Sequence, residues 1–246
     1  MEQILRVRNV SKRFGGRVAA NNVNFNIEEK SIVGLIGPNG AGKTVMFNLI
    51  TGVDSLDSGK IYYNKERIDN FRTHQIISKG IRRTFQILRT FPNMTVSENL
   101  MFALQEKELL KLLKPSERKS KQDVVSEILK FVGLYRLKDE YAKNLSYGQA
   151  KLLSFACALA GRPEPKLILL DEPFSGVNPV LARKLINQVL EMKKRGKTFV
   201  VVEHDIKCIM RISDKIIVLN LGKKIAEGKP AEISKNKKVI DAYLGG

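Results

Sequence analysis

With 246 residues, 43% of them hydrophobic and 28% charged, the chain reads as a globular protein with one substantial core and room for an inserted subdomain. Two cysteines and two histidines argue against a disulfide scaffold and a multi-histidine metal centre, so Cys157 and Cys208 are expected as buried thiols. No apolar run reaches the ~20 residues of a membrane-spanning helix, the opening residues lack a secretory layout, and a cytosolic chain is expected.

In chain order, residues 23–27 (VNFNI) alternate apolar and polar, the period of a half-solvated strand. Residues 31–37 (SIVGLIG) form a short apolar run with the look of a buried strand. They lead into glycines and a helical pattern that Gly52 ends. GKIYYN (59–64) reads as a further strand. A lysine-rich helical stretch follows from about Thr95 to Val132, broken at Pro115, and a second helix is expected from Ser146 to about Gly161. KLILLDE (166–172), TFVVVE (198–203), DKIIVLN (214–220) and KKIAEG (223–228) read as strands, with a helix near 180–194 between the first two. Apolar strands alternating with helices indicate an α/β core built on a mostly parallel sheet. The helical stretch interrupts that rhythm, which divides the chain into a catalytic core at about 1–89 and 162–246 and a helical subdomain at about 90–161.

The formal charge of +18 favours an anionic partner (nucleic acid, an acidic membrane surface or nucleotide phosphates), and solvated lysine faces explain it equally well. The motifs are more specific. GPNGAGKT, comprising Gly37, Pro38, Asn39, Gly40, Ala41, Gly42, Lys43 and Thr44, has the G-x-x-x-x-G-K-[ST] spacing between a strand and a helix. Glycines there turn backbone N–H groups toward phosphate oxygens, and the helix N-terminus adds its dipole. Lys43 would reach the β- and γ-phosphates of ATP, and the Thr44 hydroxyl would ligate Mg²⁺. Asp171 and Glu172 close an apolar strand at the edge where open α/β sheets bind ligands. Beside a phosphate loop, Asp171 suits an Mg²⁺-holding role and Glu172 the general base that deprotonates water. His204 follows another strand, where it could donate to the γ-phosphate. Ser146 and Gln149 have the spacing of a capping box, and the same helix start offers Ser146 and Gly148 as donors to an anion.

The phosphate loop, RTFQ (83–86), LSYGQ (145–149), LILLDEP (167–173), SGVNP (175–179) and VVEHD (201–205), in this order, resemble the nucleotide-binding subunit of ATP-binding cassette (ABC) proteins over essentially the whole chain. The resemblance implies a P-loop NTPase (RecA-like) core with an antiparallel β subdomain and an inserted α-helical subdomain. It implies that Phe14 stacks on adenine and that Gln86 senses Mg²⁺ and the attacking water. It also implies that His204 is the switch histidine and that the SGVNP loop crosses a dimer interface. Ser146, Gly148 and Gln149 would then meet the γ-phosphate held by a partner subunit's loop. RRTFQILRTFPNMTVSENLMFA, DEPFSGVNP and the closing VIDAYLGG are similar to the LivG-type subunit of branched-chain amino acid importers. The lipopolysaccharide-export ATPase is similar in its DEPF segment and tail, and an ABC ATPase of nucleic acid or of iron–sulfur assembly is a further alternative. Val45 departs from the family's second hydroxyl, Asn178 from its interface aspartate and Tyr147 from the first glycine of its signature. Partners implied are a second ATPase subunit, membrane permease subunits and a solute-binding protein, at the cytoplasmic face of the membrane. No nucleic acid is expected.

Overall fold

The computed structural model describes residues 2–84, 90–104 and 115–244. Strands β1 (Gln3–Phe14) and β2 (Arg17–Glu28) form an antiparallel hairpin. After β3 (Ile32–Ile36) come helix α1 (Lys43–Ile50), β4 (Ser58–Tyr63), β5 (Glu66–Arg67), α2 (Thr73–Ile77) and β6 (Ile81–Arg83). Helices α3 (Val96–Ala103), α4 (Pro115–Val132) and α5 (Tyr147–Leu159) precede β7 (Leu167–Asp171). The chain then runs through α6 (Pro179–Lys194), β8 (Thr198–Val202), α7 (Ile206–Ile212), β9 (Lys215–Asn220), β10 (Lys223–Gly228), α8 (Pro230–Ile233) and α9 (Lys237–Leu244). Among the described residues no helix is long and apolar enough to cross a membrane.

Two sheets result. The larger has the order β10-β9-β3-β8-β7-β6, with β9, β3, β8, β7 and β6 parallel and β10 antiparallel at one edge. The smaller is antiparallel in the order β2-β1-β4-β5. The continuous apolar runs of β3, β7 and β8 follow from burial on both faces. Ile32, Ile36, Ile168, Leu170, Phe199 and Val201 face one core, which they share with α5, α6 and α7. Their alternates Val33, Leu35, Leu167, Leu169, Val200 and Val202 face a second core shared with α1 and the antiparallel sheet. Each strand therefore contributes to both layers, and burying both faces locks its register.

Local chemistry sets the element ends. Thr95 accepts from the Glu98 N–H while the Glu98 carboxylate accepts from the Thr95 N–H, a capping box at the start of α3. Asn178 caps α6 by accepting from the Leu181 N–H, with Pro179 next. β1 is absent from the periodicity reading because it pairs with β2 through repeated register shifts, which break its two-residue alternation.

Candidate functional site

In the parallel order β3-β8-β7 the C-terminal ends of three strands lie side by side, and Asp171 pairs with Val202 across β7 and β8. The Gly37–Thr44 loop leaves β3 at this edge, Glu172 leaves β7, and His204 stands two residues past β8.

Positive φ at Gly37 (154°), Gly40 (76°) and Gly42 (102°) lets the loop fold back over the start of α1. A Cβ on Gly42 would lie 2.5 Å from the Ala19 carbonyl oxygen, so β2 walls the loop on one side. On the other, the Gly222 N–H donates to the Ala41 carbonyl at 3.0 Å. The N-cap residue Gly42 makes no side-chain capping bond, and no acid sits in the first turn of α1. Those N–H groups and the positive dipole end suit an anion. The Lys43 ammonium donates to the carbonyls of Gly37 (2.6 Å) and Pro38 (2.9 Å). Burial lowers its pKa, and the carboxylates of Glu172 and Asp171 oppose that shift. Thr44 is exposed at the mouth, while Val45 packs against the core beneath. Sequence reading missed Arg17, whose guanidinium stands 3.1 Å from the Cβ position of Gly40.

Asp171 is buried and its Oδ2 pairs with Arg83 at 2.9 Å. Arg83 also donates to Asn48 Oδ1 at 2.7 Å and lies over the Phe47 ring, so β6 and α1 together aim the Asp171 carboxylate. Glu172 has φ of 50°, a left-handed conformation that costs a non-glycine residue about 1 kcal/mol or more. Its N–H donates to the Val202 carbonyl at 2.9 Å, and the Lys151 ammonium donates to its carbonyl. This turn brings Glu172 Oε1 to 2.7 Å from His204 Nε2. The structure thus joins Lys43, Asp171, Glu172 and His204 at one strand edge. The sequence assigns no role to Arg83, Lys151 or the buried Glu203, although RTFQ and VVEHD contain the first and the last, because nothing in a linear pattern reveals which strand-end residue faces which.

Ser146 caps α5 through the expected box, accepting from the Gln149 N–H at 3.3 Å while Gln149 Oε1 accepts from the Ser146 N–H at 2.8 Å. No hydrogen bond or ion pair among the described residues joins Ser146, Gly148 or Gln149 to the Gly37–Val45 segment. Tyr147 is half exposed and lays its ring over Gly176, 3.0 Å from that residue's Cβ position, with the Lys151 ammonium 5.6 Å from the ring centroid. Phe14 ends β1 46% exposed, with the Lys12 ammonium 5.3 Å from its ring centroid. Gln86 lies outside the described residues. Cys157 and Cys208 are unpaired, half-buried thiols, raised by burial to about 12 and about 11.

A glycine loop on a helix N-terminus at the edge of a parallel sheet, with a lysine inside it and acids on the neighbouring strand, defines a P-loop nucleotide-binding protein. The ABC transporter family profile matches residues 20–175, and that of the branched-chain amino acid ATP-binding cassette transporters matches residues 223–246. The high-affinity branched-chain amino acid transport ATP-binding protein LivG of Escherichia coli K12 is 39% identical over 254 residues, covering 99% of this chain and 98% of the relative. The crystal structure of a nucleotide-free ATP-binding cassette from an ABC transporter is 34% identical and covers 100% of both chains, with a TM-score of 0.86. A dimeric ATP-binding cassette bound to ADP and Pi is 28% identical over 92% of this chain and 98% of the other, with a TM-score of 0.79. The chain belongs to the ABC transporter family, as its ATP-binding and ATP-hydrolysing component.

Proposed function

We propose that the chain powers the uptake of branched-chain amino acids through separate permease subunits, working as one half of an ATPase dimer at the cytoplasmic face of the membrane. The observation that carries the ATPase chemistry is the Glu172–His204 pair beside the lysine-bearing phosphate loop. The match of residues 223–246 and the near-complete alignment with LivG support the cargo.

In this reading the α1 N-terminus and Lys43 bind the β- and γ-phosphates, and Phe14 takes the adenine. Glu172 accepts a proton from the attacking water as the water oxygen bonds to the γ-phosphorus and the bond from that phosphorus to the β,γ-bridging oxygen breaks, so that ADP leaves with the bridging electron pair. His204, with its proton on Nε2, orients that carboxylate. Its half-exposed ring has room to turn toward the γ-phosphate once ATP is bound. The donor set fits Mg²⁺: a hydroxyl at Thr44 and a buried carboxylate at Asp171, oriented by Arg83, are hard oxygen ligands of the kind that complete a shell made of phosphate oxygens and water. When bound, the ion neutralises charge on the β- and γ-phosphates. Gln86 is assigned beside it on resemblance alone. Ser146, Gly148 and Gln149 are exposed, half-exposed and half-exposed on the chain's own surface, which suits residues completing the site of a second copy. Val180, 74% exposed at the start of α6, and the Ser175–Asn178 loop beside it form the rest of that contact.

The test is transport. Deleting the gene in its own host should abolish high-affinity uptake of labelled leucine, isoleucine and valine, which the intact chain restores and Lys43→Ala does not. Unchanged uptake of these three, with loss of another solute, would overturn the cargo assignment.

A further inference from the structure

Glu203, the residue between β8 and His204, is only 3% exposed. Its Oε1 accepts from the backbone N–H of Phe174 at 2.6 Å and of Ser175 at 3.1 Å. Its Oε2 accepts from the Ser175 hydroxyl at 2.9 Å and from the His204 N–H at 3.2 Å. A buried carboxylate with no partners costs several kcal/mol, and four donors converging on one group meet that cost. All four come from two segments, the 174–175 turn and the backbone of His204.

Those two segments carry the chemistry and the subunit contact. The turn follows Glu172 by two residues. It continues through Gly176, against which Tyr147 of the α5 start is laid, to Asn178, the cap of α6. His204 holds Glu172 at its other end. The Glu203 carboxylate is therefore the one group among the described residues that is hydrogen-bonded both to the loop after Glu172 and to the backbone of His204.

We propose that Glu203 is a positioning residue for ATP hydrolysis, a buried clasp that fixes His204 against Glu172 and passes any shift of the 174–178 loop to the histidine. This rests on the reading of Glu172 as base and His204 as its partner. A carboxylate suits the task because it accepts at every position. A glutamine of equal size presents an N–H pair at one side, where it would oppose the N–H groups of His204 or of Phe174 and Ser175. Small misplacements at a reacting centre are expensive in rate, on the order of 100-fold per ångström.

The experiment is steady-state ATP turnover by the full chain, with Glu203→Gln, Glu203→Asp, Ser175→Ala and Glu172→Gln compared at matched concentration. The proposal expects Glu203→Gln to lower kcat by about 10- to 100-fold while KM for ATP stays within about twofold. Glu203→Asp, which keeps the acceptor charge, should recover part of the loss. Ser175→Ala, which deletes one of four donors and leaves the backbone bonds, should lower kcat by a few fold with KM unchanged. If Glu203→Gln does not fold, Ser175→Ala decides alone. A kcat within about twofold of wild type in a folded Glu203→Gln, or in Ser175→Ala where it decides, overturns the proposal. So does a KM that rises in proportion to the loss of kcat. Near-normal turnover by Glu172→Gln would instead sink the base assignment, whatever the Glu203 variants do.

Discussion

Arg83→Leu is the substitution whose effect follows most directly from the structure. Exposed pairs such as Lys79–Glu66 contribute about 0–1 kcal/mol, but the Arg83 and Asp171 side chains are only 6% and 2% exposed. Removing one partner of a buried pair costs about 3–5 kcal/mol, because the other charge is left in a medium that cannot solvate it. Lys43 also acts on Asp171 and lessens the penalty, which places the expectation near the lower bound. The bond to Asn48 and the contact with the Phe47 ring are lost as well, so about 3 kcal/mol is the minimum. For a chain of this length that lowers Tm by roughly 6–12 °C, measurable by circular dichroism or by a shift of the urea midpoint. The double variant Arg83→Leu with Asp171→Leu removes both charges and should recover most of the loss. A single variant melting within about 2 °C of wild type, or a double variant no more stable than the single, would refute the argument.

Other consequences follow from neighbouring groups. Lys43→Ala should weaken ATP binding by about 2–4 kcal/mol, roughly 30- to 1000-fold in Kd by titration calorimetry; unchanged affinity would remove Lys43 from the phosphate site. Gly42→Ala puts a Cβ at φ of 102° and 2.5 Å from the Ala19 carbonyl, so it should lose at least about 1–3 kcal/mol of stability in urea melts. Burial raises the Glu227 pKa, and hydrogen bonds from Lys224 and Lys215 more than offset this, leaving it below its ordinary 4.5. A depressed carboxyl stabilises the fold above the unfolded pKa and stops doing so as pH falls through the folded one. Glu227→Gln should therefore cost about 1 kcal/mol at pH 7, and the gap to wild type should narrow as pH falls below the ordinary 4.5; a gap constant from pH 7 to pH 3 would contradict this.

The parts of the fold legible in the sequence were those with one dominant period. β3, β7 and β8 announce themselves as apolar runs because both faces are covered, and α6 is readable near 180–194, its Asn178 cap emerging only in the structure. β1 did not, since its register shifts erase alternation, and α2 and β6 are too short to show a period. In the site, the loop and the two acids are visible because phosphate and metal chemistry demands fixed residue types at fixed spacing, and His204 through the resemblance of VVEHD to the ABC family. Arg83, Lys151 and Glu203 act through contacts 88, 21 and 28 or 29 residues away along the chain, and only the packed sheet edge reveals them. Ser146 shows the limit from the other side. Its capping role is local and readable, while the proposed role beside a second subunit's phosphate calls for a surface that one chain does not complete.

The most direct test of the account is ATP turnover by Glu172→Gln, which keeps the size of the side chain and removes its basicity. The variant should bind ATP as wild type does, lose at least about 100-fold in kcat, and run on gel filtration in ATP as a dimer that wild type does not accumulate. Hydrolysis at a near-normal rate, with no trapped dimer, would contradict the assignment of Glu172 as the base and with it the central claim.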